Sequence, residues 1–241
     1  VYILNYVFGA TTYQFNNAAL TTTLLPLGAI QPGGYQAMQP NFSLRVEGGT
    51  DYWYVGLGSV NYFQGAILKT SDFINYEFVA FPNFYGLKTQ YESAVYVVGD
   101  YVYMALRQNT EKTVVVTRYS ILNDEFDQTI YLDDTVSRSV FMLDGSDLYL
   151  LFAPRNREEV SFMKINQTDL TKSIIVQSVR GLSAFYPFSM KYGGKFYASY
   201  TSSISPNIKN QISFSEFSME SISIDRINNV FDDTINKVEI E

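Results

Sequence analysis

One short pattern occurs four times along this chain: a β-type run, a Gly- or Asp-containing turn, and a second run that opens on aromatic side chains. The second runs read Asp51-Tyr52-Trp53-Tyr54, Asp100-Tyr101-Val102-Tyr103, Ser146-Asp147-Leu148-Tyr149 and Gly194-Lys195-Phe196-Tyr197. The aligned tyrosines Tyr54, Tyr103, Tyr149 and Tyr197 are 49, 46 and 48 residues apart. A repeat of this length predicts units that stack on their neighbours, because a single unit cannot bury its own apolar face. The spacing fits the four-stranded blade of a β-propeller.

Within each unit the first two runs flank a tight turn: Phe42 to Glu47 and Tyr52 to Leu57 around Gly48-Gly49, then Ala94 to Val98 and Tyr101 to Leu106 around Gly99-Asp100. Ser139 to Leu143 and Leu148 to Phe152 follow around Asp144-Gly145, and Phe188 to Tyr192 and Phe196 to Tyr200 around Gly193-Gly194. Gly and Asp supply the positive φ that short hairpin turns require. Third runs lie at Ala66 to Thr70, Thr113 to Tyr119, Val160 to Ile165 and Gln211 to Ser215, each followed by a Ser/Asn/Asp turn and a fourth, outermost run. Side chains of that kind fix turns by bonding nearby backbone groups.

If Tyr2 is a fifth aligned aromatic, the step from Tyr197 through the C-terminus to Tyr2 is 46 residues, (241 − 197) + 2, and from Tyr2 to Tyr54 it is 52. The expected fold is therefore all-β, a five-bladed β-propeller closed by pairing of N- and C-terminal strands. Its blades fall at about 42–82, 92–132, 138–179 and 185–225, with 232–241 joining 1–25, in one domain over 1–241. Closure of that kind removes the open sheet edges that invite aggregation. A β-sandwich is the alternative, but it demands no regular period.

The composition narrows the chemistry. With no Cys and no His, catalysis by thiolate or imidazole is excluded, as are zinc sites built on either. Carboxylates, Lys, Tyr, Ser and Thr remain. A net charge of −7 with only 17 scattered Lys and Arg argues against a nucleic-acid partner. No run reaches the roughly 18 apolar residues of a spanning helix, so membrane insertion is not expected. Neither a metal nor a cofactor is demanded. The acidic cluster Asp124-Glu125, Asp127 and Asp133-Asp134 falls on an outer run and its connection, where solvated edge charges are expected. The chain opens on Val1 rather than Met, pointing to a processed or partial chain, and the absence of Cys suits an extracellular or virion surface. Asn166-Gln167-Thr168 is a glycosylation sequon in an expected turn; a second, Asn41-Phe42-Ser43, lies in an inner run. The 20 Tyr and 18 Phe recur at period two and are expected mainly as packing, with Trp53 an inter-blade wedge.

In the first unit, Met38-Gln39-Pro40-Asn41-Phe42-Ser43-Leu44-Arg45-Val46, then Asp51-Tyr52-Trp53-Tyr54, then Leu68-Lys69-Thr70-Ser71-Asp72-Phe73-Ile74-Asn75-Tyr76-Glu77 resembles the opening blade of family 43 glycoside hydrolases. More loosely, the resemblance runs over about residues 36–200. It implies three carboxylates at the starts of inner strands, serving as general base, pKa modulator and general acid, because inversion needs one group to activate water and another to protonate the leaving oxygen. The matching positions hold Gln39 for the base, Ser137 or Arg138 for the modulator, and Phe185 for the acid. General acid-base catalysis contributes about 10²–10⁴-fold per group, so the resemblance implies the scaffold without its hydrolysis.

The expected function is a non-catalytic binding or attachment module for a polysaccharide or cell-surface glycan, on a virion or cell exterior. Its expected ligand-binding residues are Gln39, Asn41, Tyr91, Glu92, Ser137, Arg138, Phe185 and Tyr186. For each, plugging of a central channel is an equal alternative. A similarity to platform domains of phage receptor-binding proteins implies other subunits of a virion or surface assembly as partners. The competing functions are a purely structural propeller and a glycosidase with displaced carboxylates such as Glu92 or Asp232-Asp233.

Overall fold

A computed structural model describes residues 2–6, 10–16, 21–25, 37–59, 65–73, 75–80, 82, 90–108, 113–133, 135, 138–154, 159–180, 185–192, 195–202 and 211–217. The chain divides into two compact units, Val1–Asp133 and Asp134–Glu241. Every strand pairing in both is antiparallel, and no α-helix occurs among the described residues.

The first unit holds three sheets in sequence order. Strands β1 (Tyr2–Tyr6), β2 (Ala10–Asn16) and β3 (Thr21–Leu25) form a three-stranded meander. A four-stranded meander follows, β4 (Ala37–Glu47), β5 (Thr50–Ser59), β6 (Ala66–Thr70) and β7 (Glu77–Ala80). The third comprises β8 (Gln90–Val98), β9 (Tyr101–Gln108), β10 (Thr113–Ser120) and β11 (Glu125–Leu132). In the second unit, β12 (Val140–Asp144), β13 (Asp147–Phe152), β14 (Glu159–Lys164) and β15 (Ile174–Arg180) make a four-stranded sheet. Three strands follow it, β16 (Phe185–Tyr192), β17 (Lys195–Ser202) and β18 (Gln211–Phe217). The expected fourth run up to 225 and the closing segment 232–241 lie outside the described residues.

The hairpin turns follow from glycine. Gly48 and Gly49 hold φ of 56° and 83° between Glu47 and Thr50, a conformation that a Cβ makes unfavourable. The third turn differs from expectation by one residue: Asp144 pairs with Asp147, so its central residues are Gly145-Ser146 rather than Asp144-Gly145. The outer turns are held by side chains, as expected. Thr70 Oγ1 accepts from the Asp72 and Phe73 amides, Ser120 Oγ from Asn123, and Asn166 Oδ1 from Thr168 and Asp169.

Alternation along the strands decides which face packs. In the second sheet, Ser43, Arg45, Tyr54 and Ile67 share one face, which meets Val95, Val102, Met104 and Leu106 of the third sheet. Gly56 makes that approach close, since a Cβ there would lie 2.6 Å from Val95 Cγ1 and 3.1 Å from Ser93 Oγ. The opposite face carries Phe42, Val55, Leu57 and Leu68. Trp53 belongs to this face, edge-on to Phe42 and tilted against Phe73 at 5.3 and 5.4 Å between ring centroids. In β10 every residue is buried, the mark of a strand covered on both sides, whereas the edge strand β11 alternates towards solvent. In the second unit Val140, Met142, Tyr149, Leu151, Val160 and Phe162 pack with Ala198 of the neighbouring sheet.

Candidate functional site

The sequence-selected positions share one structural feature, an irregularity near the start of a first strand. In β4, Met38 pairs with Gly58 and Asn41 with Gly56, so Gln39-Pro40 together oppose Leu57. In β8, Gln90 pairs with Gln108 and Ser93 with Leu106, so Tyr91-Glu92 oppose Arg107. In β16, Phe185 pairs with Thr201 and Phe188 with Ser199, so Tyr186-Pro187 oppose Tyr200. The opposed residues lie three, four and three positions beyond the aligned tyrosines Tyr54, Tyr103 and Tyr197. Before β12, Thr135 bridges Pro154 while Val140 pairs with Leu151, five steps on one strand against three on the other.

Bulges of this kind kink a strand and re-aim its side chains, and they concentrate beside active sites. Proline suits them because it has no amide to lose from the ladder. Gln39, Asn41, Tyr91, Glu92, Phe185 and Tyr186 thus sit in or beside bulges, although only Glu92 of these has a described side chain. Arg138 lies in the irregular segment before β12 and is partly exposed, and Ser137 is outside the described residues.

Glu92 is where the geometry is fullest. Its side chain is 4% exposed, and Arg107 Nη1 donates to its Oε2 at 2.7 Å; the arginine side chain remains 20% exposed. The carboxylate is paired with a guanidinium and nearly sealed from solvent. Their sequence neighbours Ser93 and Gln108, on the face towards the second sheet, carry buried Oγ and Nε2 atoms with no hydrogen-bond partner. The other member of the proposed displaced pair, Asp232-Asp233, lies outside the described residues.

The hairpin ends of the same sheets carry a second polar system that sequence reading did not anticipate. Each aligned tyrosine of the three four-stranded sheets faces a cation on the third strand: Tyr54 opposite Lys69, Tyr103 opposite Arg118, Tyr149 opposite Lys164. All three pairs are 15 residues apart in sequence, which was the available signal; Tyr197 breaks it by facing Glu216. The Lys69 ammonium lies 4.0 Å from the ring centre of Tyr52, and the Arg118 guanidinium 4.3 Å from that of Tyr101. In the third case Asp147 occupies the position of that ring and pairs with Lys164 at 2.6 Å.

Each cation takes its carboxylate from a different strand. Arg118 binds Asp127 of β11 by two bonds, Nε to Oδ1 at 2.9 Å and Nη2 to Oδ2 at 2.6 Å. Asp127 is an exposed charge on the edge strand, as expected, and is also the ion-pair partner of Arg118, while Asp124 accepts from Tyr119 at 2.5 Å. Lys69 binds Glu47 Oε2 at 2.5 Å, while Glu47 Oε1 accepts from Tyr54 at 2.7 Å and from Arg45 at 3.3 Å. Arg45 continues to Asp100 at 2.6 Å, tying the second sheet to the turn between β8 and β9. Burial pushes the Glu47 carboxyl up, but the Lys69 and Tyr54 hydrogen bonds and the charges of Lys69 and Arg45 outweigh it and hold it below its ordinary value. Tyr54 is driven well above the usual phenol range by burial and then by Glu47.

Repeated antiparallel meanders are the architecture of β-propellers, and the solved structures similar to this chain include propellers of glycoside hydrolase family 43. No family model and no curated protein sequence matches the chain. Among solved structures it is similar to the GH43B protein of a Bacteroides ovatus xyloglucan locus, with a TM-score of 0.51 at 14% identity over 76% of this chain and 39% of that one. An exo-β-1,3-galactanase from Phanerochaete chrysosporium, solved with β-1,3-galactotriose, gives 0.56 at 14% identity over 90% and 51%. NanB sialidase from Streptococcus pneumoniae gives 0.61 at 10% identity over 88% and 36%. The chain spans about half or less of these proteins, and at such identities the likeness defines the fold alone.

Proposed function

We propose that this chain is a glycan-recognition module: a five-bladed β-propeller, closed by its terminal strands, that has lost family-type hydrolysis and serves in attachment on a virion or cell exterior. The observation carrying this reading is the fate of the acid-base positions. Gln39 and Phe185 carry no ionisable group, the modulator falls at Ser137 or Arg138, and the one described carboxylate at a first-strand bulge, Glu92, is buried against Arg107. Inverting hydrolysis needs two carboxyl groups with access to opposite faces of the sugar. The neighbouring structures support saccharides as the ligand class, since their names describe glycan-active proteins. Amide, guanidinium and aromatic side chains suit this class, the rings covering C–H faces and the polar groups taking hydroxyls.

The test is a glycan array combined with titration of cell-wall polysaccharides, run on the wild type and on Phe185→Ala and Tyr186→Ala. Retained glycans whose binding weakens in either variant are the expected result. A blank array and flat titrations would instead favour a structural role. Hydrolysis of aryl glycosides that disappears in Glu92→Gln would overturn the non-catalytic reading.

A further inference from the structure

We propose that Asn166 is an acceptor site for an N-linked glycan and that the second sequon, at Asn41, is not. The inference goes beyond the glycan-recognition reading, because it concerns a sugar carried by the chain rather than one bound by it. Asn166-Gln167-Thr168 lies in the connection between β14 and β15, ahead of the single 3₁₀ turn Leu170–Lys172. The motif Asn-x-Ser/Thr is the acceptor signal for N-glycosylation and functions where the chain meets solvent. Thr168 is exposed and Asn166 partly exposed.

The fold uses one end of the Asn166 amide and leaves the other. Its Oδ1 accepts from the main-chain amides of Thr168 at 3.1 Å and Asp169 at 3.0 Å, an Asx-turn. The main-chain amide of Asn166 donates to Ser173 Oγ at 3.0 Å, which ties the connection to the residue before β15. Asp169 then caps the 3₁₀ turn by accepting from the Thr171 amide. None of these bonds involves Asn166 Nδ2. That nitrogen has no partner among the described residues and is not one of the buried unpartnered side-chain atoms, so it reaches solvent. The co-reactant is a polyprenyl-diphosphate-linked oligosaccharide. Nδ2 forms the bond to the anomeric carbon, the C–O bond to the diphosphate breaks with its electron pair leaving on oxygen, and Nδ2 gives one proton to a base of the transferase. The product keeps the Oδ1 acceptor and one N–H, so the turn survives the modification.

The second sequon is placed in the opposite way. Asn41 pairs with Gly56 inside β4, and Ser43 is buried with its Oγ accepting from the Val97 amide of the third sheet at 3.0 Å. A strand paired within its sheet, with the motif's hydroxyl already engaged, presents no acceptor to solvent. A glycan added there before folding has to be accommodated inside that strand, so the folded, secreted chain is expected without one.

The experiment directs the full chain into the secretory path of a glycosylating eukaryotic cell, as wild type, Asn166→Asp, Thr168→Ala and Asn41→Gln. Gel mobility and peptide mass are read before and after peptide N-glycosidase. Asn166→Asp keeps an Oδ1 acceptor for the turn and removes Nδ2, so it separates loss of the acceptor nitrogen from loss of the fold. The expected result is an enzyme-sensitive shift in wild type and Asn41→Gln, its loss in Asn166→Asp and Thr168→Ala, and conversion of residue 166 to aspartate by the enzyme. If Asn166→Asp is retained in the cell, the retained protein and Thr168→Ala are read in the same way. Wild type without a glycan at residue 166, a glycan at Asn41 alone, or a shift that persists in Asn166→Asp and Thr168→Ala overturns the inference. None of these outcomes alters the glycan-array result, which decides recognition separately.

Discussion

Glu47 offers the sharpest quantitative test of how the sheets are held at their hairpin ends. It accepts from Tyr54, Lys69 and Arg45, and Tyr54 is 1% exposed. Glu47→Ala therefore leaves a buried phenol O–H, still beside Arg45, without its carboxylate acceptor, at about 1–3 kcal/mol. The Lys69 and Arg45 contacts are about a fifth exposed at each partner, so solvent screening limits them to about 0.2–1 kcal/mol each. The expected loss is about 2–3 kcal/mol, a fall in melting temperature of about 4–12 °C for a chain of this size. Most of it should vanish if the phenol is absent. In a Tyr54→Phe background the same substitution should cost only about 1 kcal/mol, a coupling of about 1–2 kcal/mol in the double-mutant cycle. Urea unfolding followed by circular dichroism, at unchanged m-value, measures all four corners. A coupling below about 0.5 kcal/mol would show that the orphaned Tyr54 hydroxyl is not the dominant loss, and the reasoning would fail.

The remaining predictions concern acid and the inter-sheet contact. Because the folded-state pKa of Glu47 is depressed, its contribution is present above the unfolded value of about 4.3 and is lost as pH falls through the lower folded value. The stability difference between wild type and Glu47→Gln should hold steady from neutral pH to about pH 5 and shrink below about pH 4; a difference that grows on acidification would refute the sign. Gly56→Ala places a methyl group 2.6 Å from Val95 Cγ1 inside the contact between two sheets, so a loss of about 1–3 kcal/mol is expected. Partial recovery in Gly56→Ala/Val95→Ala, seen as a shift of the urea midpoint back towards wild type, checks that the overlap is the cause.

The strand cores were legible because period two and a repeat near 48 residues act through burial alone, which every unit must satisfy separately. Tyr54, Tyr103 and Tyr149, aligned from the sequence, are all buried for that reason. The polar pairings were less legible because a carboxylate can reach the same place from several strands. The cation facing the tyrosine is constant in Lys69, Arg118 and Lys164, but its partner comes from β4 as Glu47, from β11 as Asp127, and from β13 as Asp147. A linear scan sees the fixed 15-residue spacing and not the migrating acid. That is why the sequence shows Asp127 only as an edge charge, whereas the structure adds its two bonds to Arg118. Bulges are hidden for a related reason: Pro40 and Pro187 hint at them, but Tyr91-Glu92 contains no breaker, and only the ladder register reveals the extra residue.

This difference bears on function, because the two ends of the sheets use charge in opposite ways. At the hairpin end Glu47 and Asp127 each meet their cation beside a buried tyrosine, Tyr54 or Tyr103, and removing either should register as stability, whereas Lys164 and Asp147 are 41% and 43% exposed. At the bulged end, by contrast, Glu92 is buried while the side chain of its cation, Arg107, is a fifth exposed. The double variant Glu92→Gln/Arg107→Gln should therefore leave the urea midpoint close to wild type, since an amide pair replaces an ion pair whose desolvation already offsets most of its attraction. A large loss of stability in that variant would place the pair among the structural ties, alongside Glu47 and Asp127. A nearly unchanged midpoint with altered glycan binding would place it in recognition.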